Sequence, residues 1–280
     1  MQITKLINLA SNNLKNKDIK THQLDSELIL SDLLKKEREN LLINLDVEVS
    51  QRVVNQFNKK INRRSDKEPI AYILKKKEFW SKDFYVNKNT LIPRPETELL
   101  TESVIKMFKN KKIFFLDIGT GTGCIILSIL SEIRYSRGIG VDISSKAIDV
   151  AEINARNFGL SNRAKFYSKS FEQIYGKKFD LIVSNPPYIK STDIKNLSED
   201  VKKFEPKLAL DGGNDGLDVI KKVIYKSRTI LKKCGTLALE IGKGQQYDVS
   251  QILKDQGFTI KVLVKDYQNN VRCILAILKN

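Results

Sequence analysis

The tetrapeptide Asn185-Pro186-Pro187-Tyr188 directly follows the apolar run Phe179-Asp180-Leu181-Ile182-Val183-Ser184. Asn185 offers a side-chain carbonyl, and Pro186 offers a main-chain carbonyl with no N–H of its own. Two such acceptors grip both hydrogens of an NH2 group, and Tyr188 adds a flat face for a planar, conjugated partner. The nitrogen of a carboxamide or aromatic amine is a poor nucleophile because its lone pair is delocalised. Holding both N–H bonds orients that nitrogen toward an electrophilic carbon. The same acceptors stabilise the positive charge that grows as the new bond forms. No general base is needed beforehand, since the alkylated nitrogen is acidic and loses its proton afterwards. The plainer alternative is a Pro-Pro terminator after a buried strand, with Asn185 as a turn residue.

A second constellation lies upstream in Leu116-Asp117-Ile118-Gly119-Thr120-Gly121-Thr122-Gly123-Cys124. Glycines at the end of a strand let the backbone turn sharply and approach a ligand. The dinucleotide fingerprint would want its third glycine where Cys124 stands, and no Gly-Lys-Ser/Thr follows, so a phosphate loop is absent. Asp142 ends the next apolar run, where a carboxylate accepts both hydroxyls of a ribose. The alternative for Asp142 is a cap on the following helix, shared with Ser144 and Ser145. The spacing suits a ligand with adenosine but no pyrophosphate.

These residues need strands to present them, and the surrounding pattern supplies strands alternating with helices. Strands are expected around Lys112–Gly119, Gly138–Ser144, Ala164–Ser168, Phe179–Asn185 and Gly235–Gly242, with helices over Gly123–Glu132, Lys146–Asn157 and Leu217–Lys232. Phe258–Asp266 and Val271–Leu278 follow each other without a helix, which fits an antiparallel edge on a parallel sheet. The first 70 or so residues read differently. Leu6, Ile7, Leu9 and Ala10, then Leu24, Leu28, Ile29 and Leu33, recur at helical spacing. Thr21 and Ser50 are the expected N-caps, the latter opening a helix with Val53, Phe57 and Ile61 on one face. The expected organisation is a helical domain over 1–73, a hairpin linker over 74–95 and an α/β domain over 96–280, with a helix starting near Glu96 after Pro93 and Pro95.

Composition narrows the classes. No apolar run approaches a membrane span, and no secretory signal layout opens the chain. Cys124, Cys234 and Cys273 are odd in number and lack CxxC spacing, so they are expected as small buried residues in a reducing cytoplasm. His22 is the single histidine, which leaves little material for histidine catalysis or a metal site. The formal charge of +16 comes as scattered pairs such as Lys111-Lys112 and Lys177-Lys178, without a basic arm. It is read as a solvated surface, with nucleic acid or an acidic protein as the other possible partners.

The Asp-x-Gly-x-Gly-x-Gly loop resembles the first motif of seven-stranded S-adenosylmethionine-dependent methyltransferases, a Rossmann-like α/β fold. That resemblance implies that Asp117, Gly119, Thr120, Gly121, Thr122 and Gly123 face the methionine portion and that Asp142 holds the ribose. It also implies adenine contacts from Lys169-Ser170-Phe171, although many such proteins carry an acidic residue there. Longer strings resemble the HemK/PrmC family: "PIAYILKKKEFWSKDFYVNKNTLIPRPETELL", "SNPPYIKSTDIKNLSEDVKKFEPKLALDGGNDGLDVI", "LALEIGKGQ", and Asp266 followed by Arg272. The family methylates the side-chain amide nitrogen (N5) of the glutamine in the GGQ motif of class 1 peptide chain release factors. By that resemblance Asn185 and Pro186 hold the glutamine amide with Pro187 beside them, Tyr188 packs on it, and the helical domain helps to dock the release factor. The segment Pro93-Arg94-Pro95-Glu96-Thr97 lies near the active site in the family, and Arg94 and Glu96 either contact substrate or hold that segment in place. Lys75 and Asn269 stand where the family commonly has glycine. The resemblance further implies a monomeric cytoplasmic enzyme that uses no metal and binds no nucleic acid stably, with S-adenosylhomocysteine as product. Adenine N6-methylation would call for a target-recognition insertion and a basic groove, and neither is evident. A non-catalytic scaffold would be expected to have lost Asp142 or Asn185, and both are present.

Overall fold

The computed structural model describes residues 1–176 and 178–279. Lys177, half of one lysine pair noted above, and Asn280 lie outside the described residues. The chain divides into two compact units: Met1–Lys76 with Ser198–Phe204, and Lys77–Leu197 with Glu205–Asn280.

The first unit is helical, with α1 (Ile3–Lys15), α2 (His22–Leu34), α3 (Arg38–Ile43), α4 (Gln51–Ser65) and α5 (Ile70–Leu74). Ile3, Leu6, Ile7, Leu14, Ile29, Leu30, Leu41, Phe57 and Ile61 form its core. Leu9 and Leu24, expected on the apolar faces, are instead exposed. A period of 3.6 residues carries the α1 stripe through Ile3, Leu6, Ile7, Ala10 and Leu14 and turns Leu9 outward. In α4, Ser50 Oγ accepts from the Val53 N–H at 3.4 Å, the expected cap. Thr21 precedes α2 but does not cap it, because its hydroxyl donates to Asp25 Oδ2 at 2.8 Å. Lys75 ends α5 at φ +57°, a left-handed conformation that accounts for a glycine preference there.

A hairpin follows, of β1 (Lys76–Phe79, in the second unit from Lys77 on) and β2 (Lys82–Tyr85), turned through Trp80 and Ser81, both at positive φ. Then follow α6 (Thr97–Phe108), β3 (Phe114–Ile118), α7 (Cys124–Glu132), β4 (Arg137–Asp142), α8 (Ser145–Asn157), β5 (Ala164–Ser168) and β6 (Phe179–Ser184). Next come α9 (Glu199–Phe204, within the segment that belongs to the first unit), α10 (Asp218–Ile230), β7 (Leu231–Glu240), α11 (Gln246–Asp255), β8 (Phe258–Lys265) and β9 (Val271–Leu278). Among the described residues the large sheet has seven strands in the order β5-β4-β3-β6-β7-β9-β8. β5 through β7 pair in parallel, whereas β9 is antiparallel to both β7 and β8. This is the α/β architecture with an antiparallel edge that the sequence pattern predicts.

Alternate residues of each strand point to opposite faces of the sheet. Phe115, Leu181 and Val183 pack with α6, α7 and α8 through Leu100, Ile126 and Ile148. Leu116, Ile182 and Leu237 pack on the other face with α10 and α11 through Ile220, Val223 and Leu253. Cys124 and Cys273 are buried as expected, but Cys234 is exposed. It sits at φ +57° where β7 kinks before Gly235, which takes its side chain out of the strand's alternation.

Candidate active site

Strand order reverses between β3 and β6: from β3 the chain proceeds outward to β4 and β5, then returns to β6 on β3's other side. In open α/β sheets the crevice at such a point, outside the carboxyl ends of the strands, receives ligands. The pairings Ile118↔Ser184 and Ile118↔Val141 bring the glycine loop, Asn185 and Asp142 to that one edge. Ser184 Oγ donates to the Ile118 carbonyl at 2.9 Å and fixes the two strand ends together.

Asp117 is fully buried, with Oδ2 accepting from Thr120 Oγ1 at 2.7 Å and Oδ1 left without a partner among the described residues. Burial pushes its carboxyl up to about 7; the Thr120 hydrogen bond opposes the shift and the nearby Asp142 charge adds to it. Asp142 Oδ2 accepts from the Gly121 N–H and its Oδ1 from the Ser144 N–H, each at 3.0 Å. Burial raises the Asp142 carboxyl as well. Ser144 Oγ, not Asp142, caps α8 by accepting from the Ala147 N–H at 3.2 Å. Gly121, which makes this bond, lies at φ +52°, a left-handed conformation that favours glycine. Gly119, Thr122 and Gly123 complete the loop, and Asn154 Nδ2 donates to the Thr122 carbonyl at 2.9 Å. Lys169 is joined to this edge by its N–H, which donates to the Asp142 carbonyl at 2.9 Å. Ser170 Oγ accepts from the Glu172 N–H, opening a short turn that includes half-buried Phe171.

On the other side of the switch point, Asn185 Nδ2 donates to Thr97 Oγ1 at 3.1 Å. Thr97 Oγ1 donates in turn to Glu240 Oε2 at 2.7 Å. Tyr188 Oη donates to Glu240 Oε1 at 3.3 Å and accepts from Arg272 Nη2 at 3.4 Å. Glu240 is fully buried, and that burial pushes its carboxyl up to about 7, against the opposing pull of Thr97, Arg272 and Tyr188. Burial likewise drives the Tyr188 phenol up to about 12. With its NH2 on Thr97, Asn185 keeps its side-chain carbonyl for another donor.

The motif's backbone is clamped from behind. Gln245 Nε2 donates to the carbonyls of Tyr188 and Gly216, both at 3.1 Å. A Cβ on Gly212 would stand 2.8 Å from the Pro187 carbonyl oxygen and from Tyr188 Cα, so only glycine permits this approach. Arg94 Nη2 donates to Glu205 Oε1 at 2.5 Å, and Glu205 Oε2 accepts from the Ile92 N–H at 3.1 Å. Arg94 therefore holds the segment that carries Thr97, while Glu96 is exposed. Asn269 lies at φ +66° in a turn where Asp266 Oδ1 accepts from the Asn270 N–H at 2.9 Å. Reading the sequence assigned no role to Glu240 or Gln245, and it gave Thr97 only a place in the segment 93–97 near the site. The available signal was Glu240 itself, a carboxylate closing an apolar strand as Asp142 does. Among the described residues no group of three or more His, Cys, Asp or Glu side chains is arranged to hold a metal.

Over 288 aligned residues the chain is 39% identical to the release factor glutamine methyltransferase of Clostridium acetobutylicum, covering 99% of each protein. The chain belongs to the release factor glutamine methyltransferase family. Its residues 5–74 match the PrmC N-terminal domain, and residues 109–240 match a methyltransferase domain. The family strings that flank the motif thus accompany both domains. A bifunctional methyltransferase of Rickettsia conorii is 34% identical over 98% of the chain, which spans 57% of that longer relative. Among solved structures, the ribosomal protein L11 methylase of Lactobacillus delbrueckii superposes at a TM-score of 0.52 with 19% identity, over 67% of this chain and 81% of that one. That likeness concerns the fold, in agreement with the seven-stranded sheet.

Proposed function

We propose that this chain transfers a methyl group from S-adenosylmethionine to the side-chain amide nitrogen of the glutamine in the GGQ motif of class 1 release factors. The observation that carries the reading is the register Ile118↔Ser184, which sets Asn185 beside the glycine loop. When bound, the donor supplies an electrophilic methyl carbon on a positively charged sulfur, and it leaves as S-adenosylhomocysteine. The residues present fit it. Asp117 has a buried oxygen that lacks a partner, the complement of an ammonium group. Asp142 is fixed by two backbone N–H groups and retains lone pairs for the two ribose hydroxyls. The loop from Gly119 to Gly123 faces the methionine portion in this reading, and Ser170 and Phe171 the adenine.

Asn185 Oδ1 and the Pro186 carbonyl accept the two hydrogens of the glutamine NH2, with Pro187 and Tyr188 flanking the planar amide. This holds the nitrogen lone pair toward the methyl carbon. As the C–N bond forms and the S–C bond breaks, both acceptors stabilise the charge on nitrogen. The proton then leaves the nitrogen for solvent. The helical region 1–73 docks the release factor, 74–95 is a linker and 96–280 carries the chemistry. The working state is a cytoplasmic monomer that needs no metal and binds no nucleic acid stably.

The test is incubation with labelled methyl donor and, separately, a class 1 release factor or nucleic acid. Label on the GGQ glutamine, located by mass spectrometry, is the expected result. Label on nucleic acid alone, or on neither, would overturn the proposal. Asn185→Ala is expected to abolish transfer while leaving donor binding within about threefold.

A further inference from the structure

Thr97 has one hydroxyl hydrogen and two polar neighbours. An ionised carboxylate only accepts, so facing Glu240 at 2.7 Å the hydroxyl must donate to it. Its lone pairs then face Asn185 at 3.1 Å, and of the two ends of that carboxamide only the NH2 is compatible with them. The carbonyl is thereby turned to the opposite side. We propose that Glu240 is a positioning residue for methyl transfer. Through Thr97 it locks the Asn185 carboxamide with its carbonyl toward the acceptor amide, and with its second oxygen it holds the Tyr188 phenol. The two polar side chains of the Asn-Pro-Pro-Tyr motif thus depend on one buried carboxylate. This inference rests on the proposed function for what Asn185 receives, but the lock is a property of the chain alone.

The lock has a charge condition. If Glu240 takes a proton on Oε2, the oxygen facing Thr97, it can donate to Thr97, and Thr97 can donate to Asn185 Oδ1. In that form the carboxamide reverses and presents NH2 to an incoming NH2. The groups that bias this switch are Thr97 on α6, Tyr188 after β6, Arg272 on β9 and Glu96 before α6. The first three favour the carboxylate; Glu96 and burial oppose it. Cys124 and Cys273 lie within the field of Glu240 and stay thiols, their own ionisation suppressed by burial.

The experiment uses the full chain with a release factor and S-adenosylmethionine. In Glu240→Gln and in Thr97→Val, kcat is expected to fall on the order of 10–100-fold, the effect of a misaligned reacting group. Donor Kd is expected to stay within about twofold, and Thr97→Ser, which keeps the hydroxyl, to recover most of the lost rate. Wild-type kcat is expected to drop as pH falls through about 7, and Glu240→Gln to lack that acid limb. Thr97→Val is nearly isosteric, so it decides the question even if Glu240→Gln fails to fold. The exchange of the Asn185 side-chain amide hydrogens, followed by NMR, needs no acceptor. It is expected to quicken on the order of tenfold in Thr97→Val. A folded Thr97→Val with wild-type kcat, or with unchanged Asn185 amide exchange, would overturn the inference. A wild-type chain that leaves release factors unmethylated would overturn the proposed function instead, and the amide exchange would still decide this one.

Discussion

The backbone N–H of Gly121 donates to Asp142 Oδ2 at 3.0 Å, so the glycine loop and the carboxylate ending the next strand form one unit. Asp142→Ala would remove the acceptor for this N–H and for that of Ser144 together with two lone-pair positions for a ligand. Hydrogen bonds to a charged group contribute about 1.5–3 kcal/mol each. The Kd for S-adenosylmethionine, measured calorimetrically, is expected to rise on the order of 10–100-fold.

Asp117 carries a stability cost that depends on pH. Its carboxyl is raised from 3.8 to about 7 in the fold, so the folded state binds a proton that the unfolded chain releases above about 4. The associated stability is complete below the unfolded value and is lost as pH rises through about 7. Asp117→Asn keeps an acceptor for Thr120 and has no charge to desolvate. The unliganded variant is expected to be more stable than wild type by about 1–3 kcal/mol at pH 8. The advantage should shrink as pH falls from about 7 to about 4. Thermal denaturation across that range is the check, with weaker donor binding as the accompanying loss.

Glu205 is nearly enclosed, whereas the Arg94 side chain is one-third exposed, at 33%. Arg94→Ala strands a buried carboxylate that still accepts from the Ile92 N–H. The pair's partial exposure moderates the penalty to about 1–3 kcal/mol. Because this contact anchors the segment leading to Thr97, kcat is expected to fall along with Tm.

Gly212 and Gly159 offer a matched comparison. An added Cβ at Gly212 meets only backbone atoms, the nearest at 2.8 Å, whereas at Gly159 nothing lies within 4 Å. Gly212→Ala is expected to displace Pro187 and Tyr188 and to lower kcat on the order of 100-fold. Gly159→Ala, at φ +66° far along α8's exit, is expected to cost only about 1–2 kcal/mol and leave kcat unchanged. Steady-state kinetics beside denaturant unfolding separates the two.

What the sequence made legible was whatever is announced locally. Asp142 and Asn185 stand where apolar runs end, Asn185 directly before two prolines, and Asp117 stands two residues before the first loop glycine, so strand end and turn chemistry could be read together. Ser50 announced its helix in the same way. Thr21 looked identical and was not a cap, because the buried Asp25, which also pairs with Arg64 at 2.6 Å, claims its hydroxyl from within the same helix. Cys234 misled because burial was inferred from residue type, while a left-handed kink in β7 decided its exposure. The helix Gln246–Asp255 gave little warning, since Val249 and Leu253 are its only buried residues. The pairing of Thr97 with Glu240 was illegible for a different reason. The two lie 143 residues apart, and a threonine or glutamate has no partner until the sheet is built.

That separation has a kinetic side. Asn185 and Thr97 are 88 residues apart, and Arg94 and Glu205 are 111 apart. Closing such long loops costs chain entropy before any contact rewards it, so these pairings belong to the slow steps of folding. An intermediate that has formed the local β3–α7–β4 unit would own the glycine loop and Asp142 but not an oriented Asn185. During refolding, affinity for the methyl donor should therefore return before methyl transfer does, and the chain would pass through a stage at which it can hold its reagent without being able to use it.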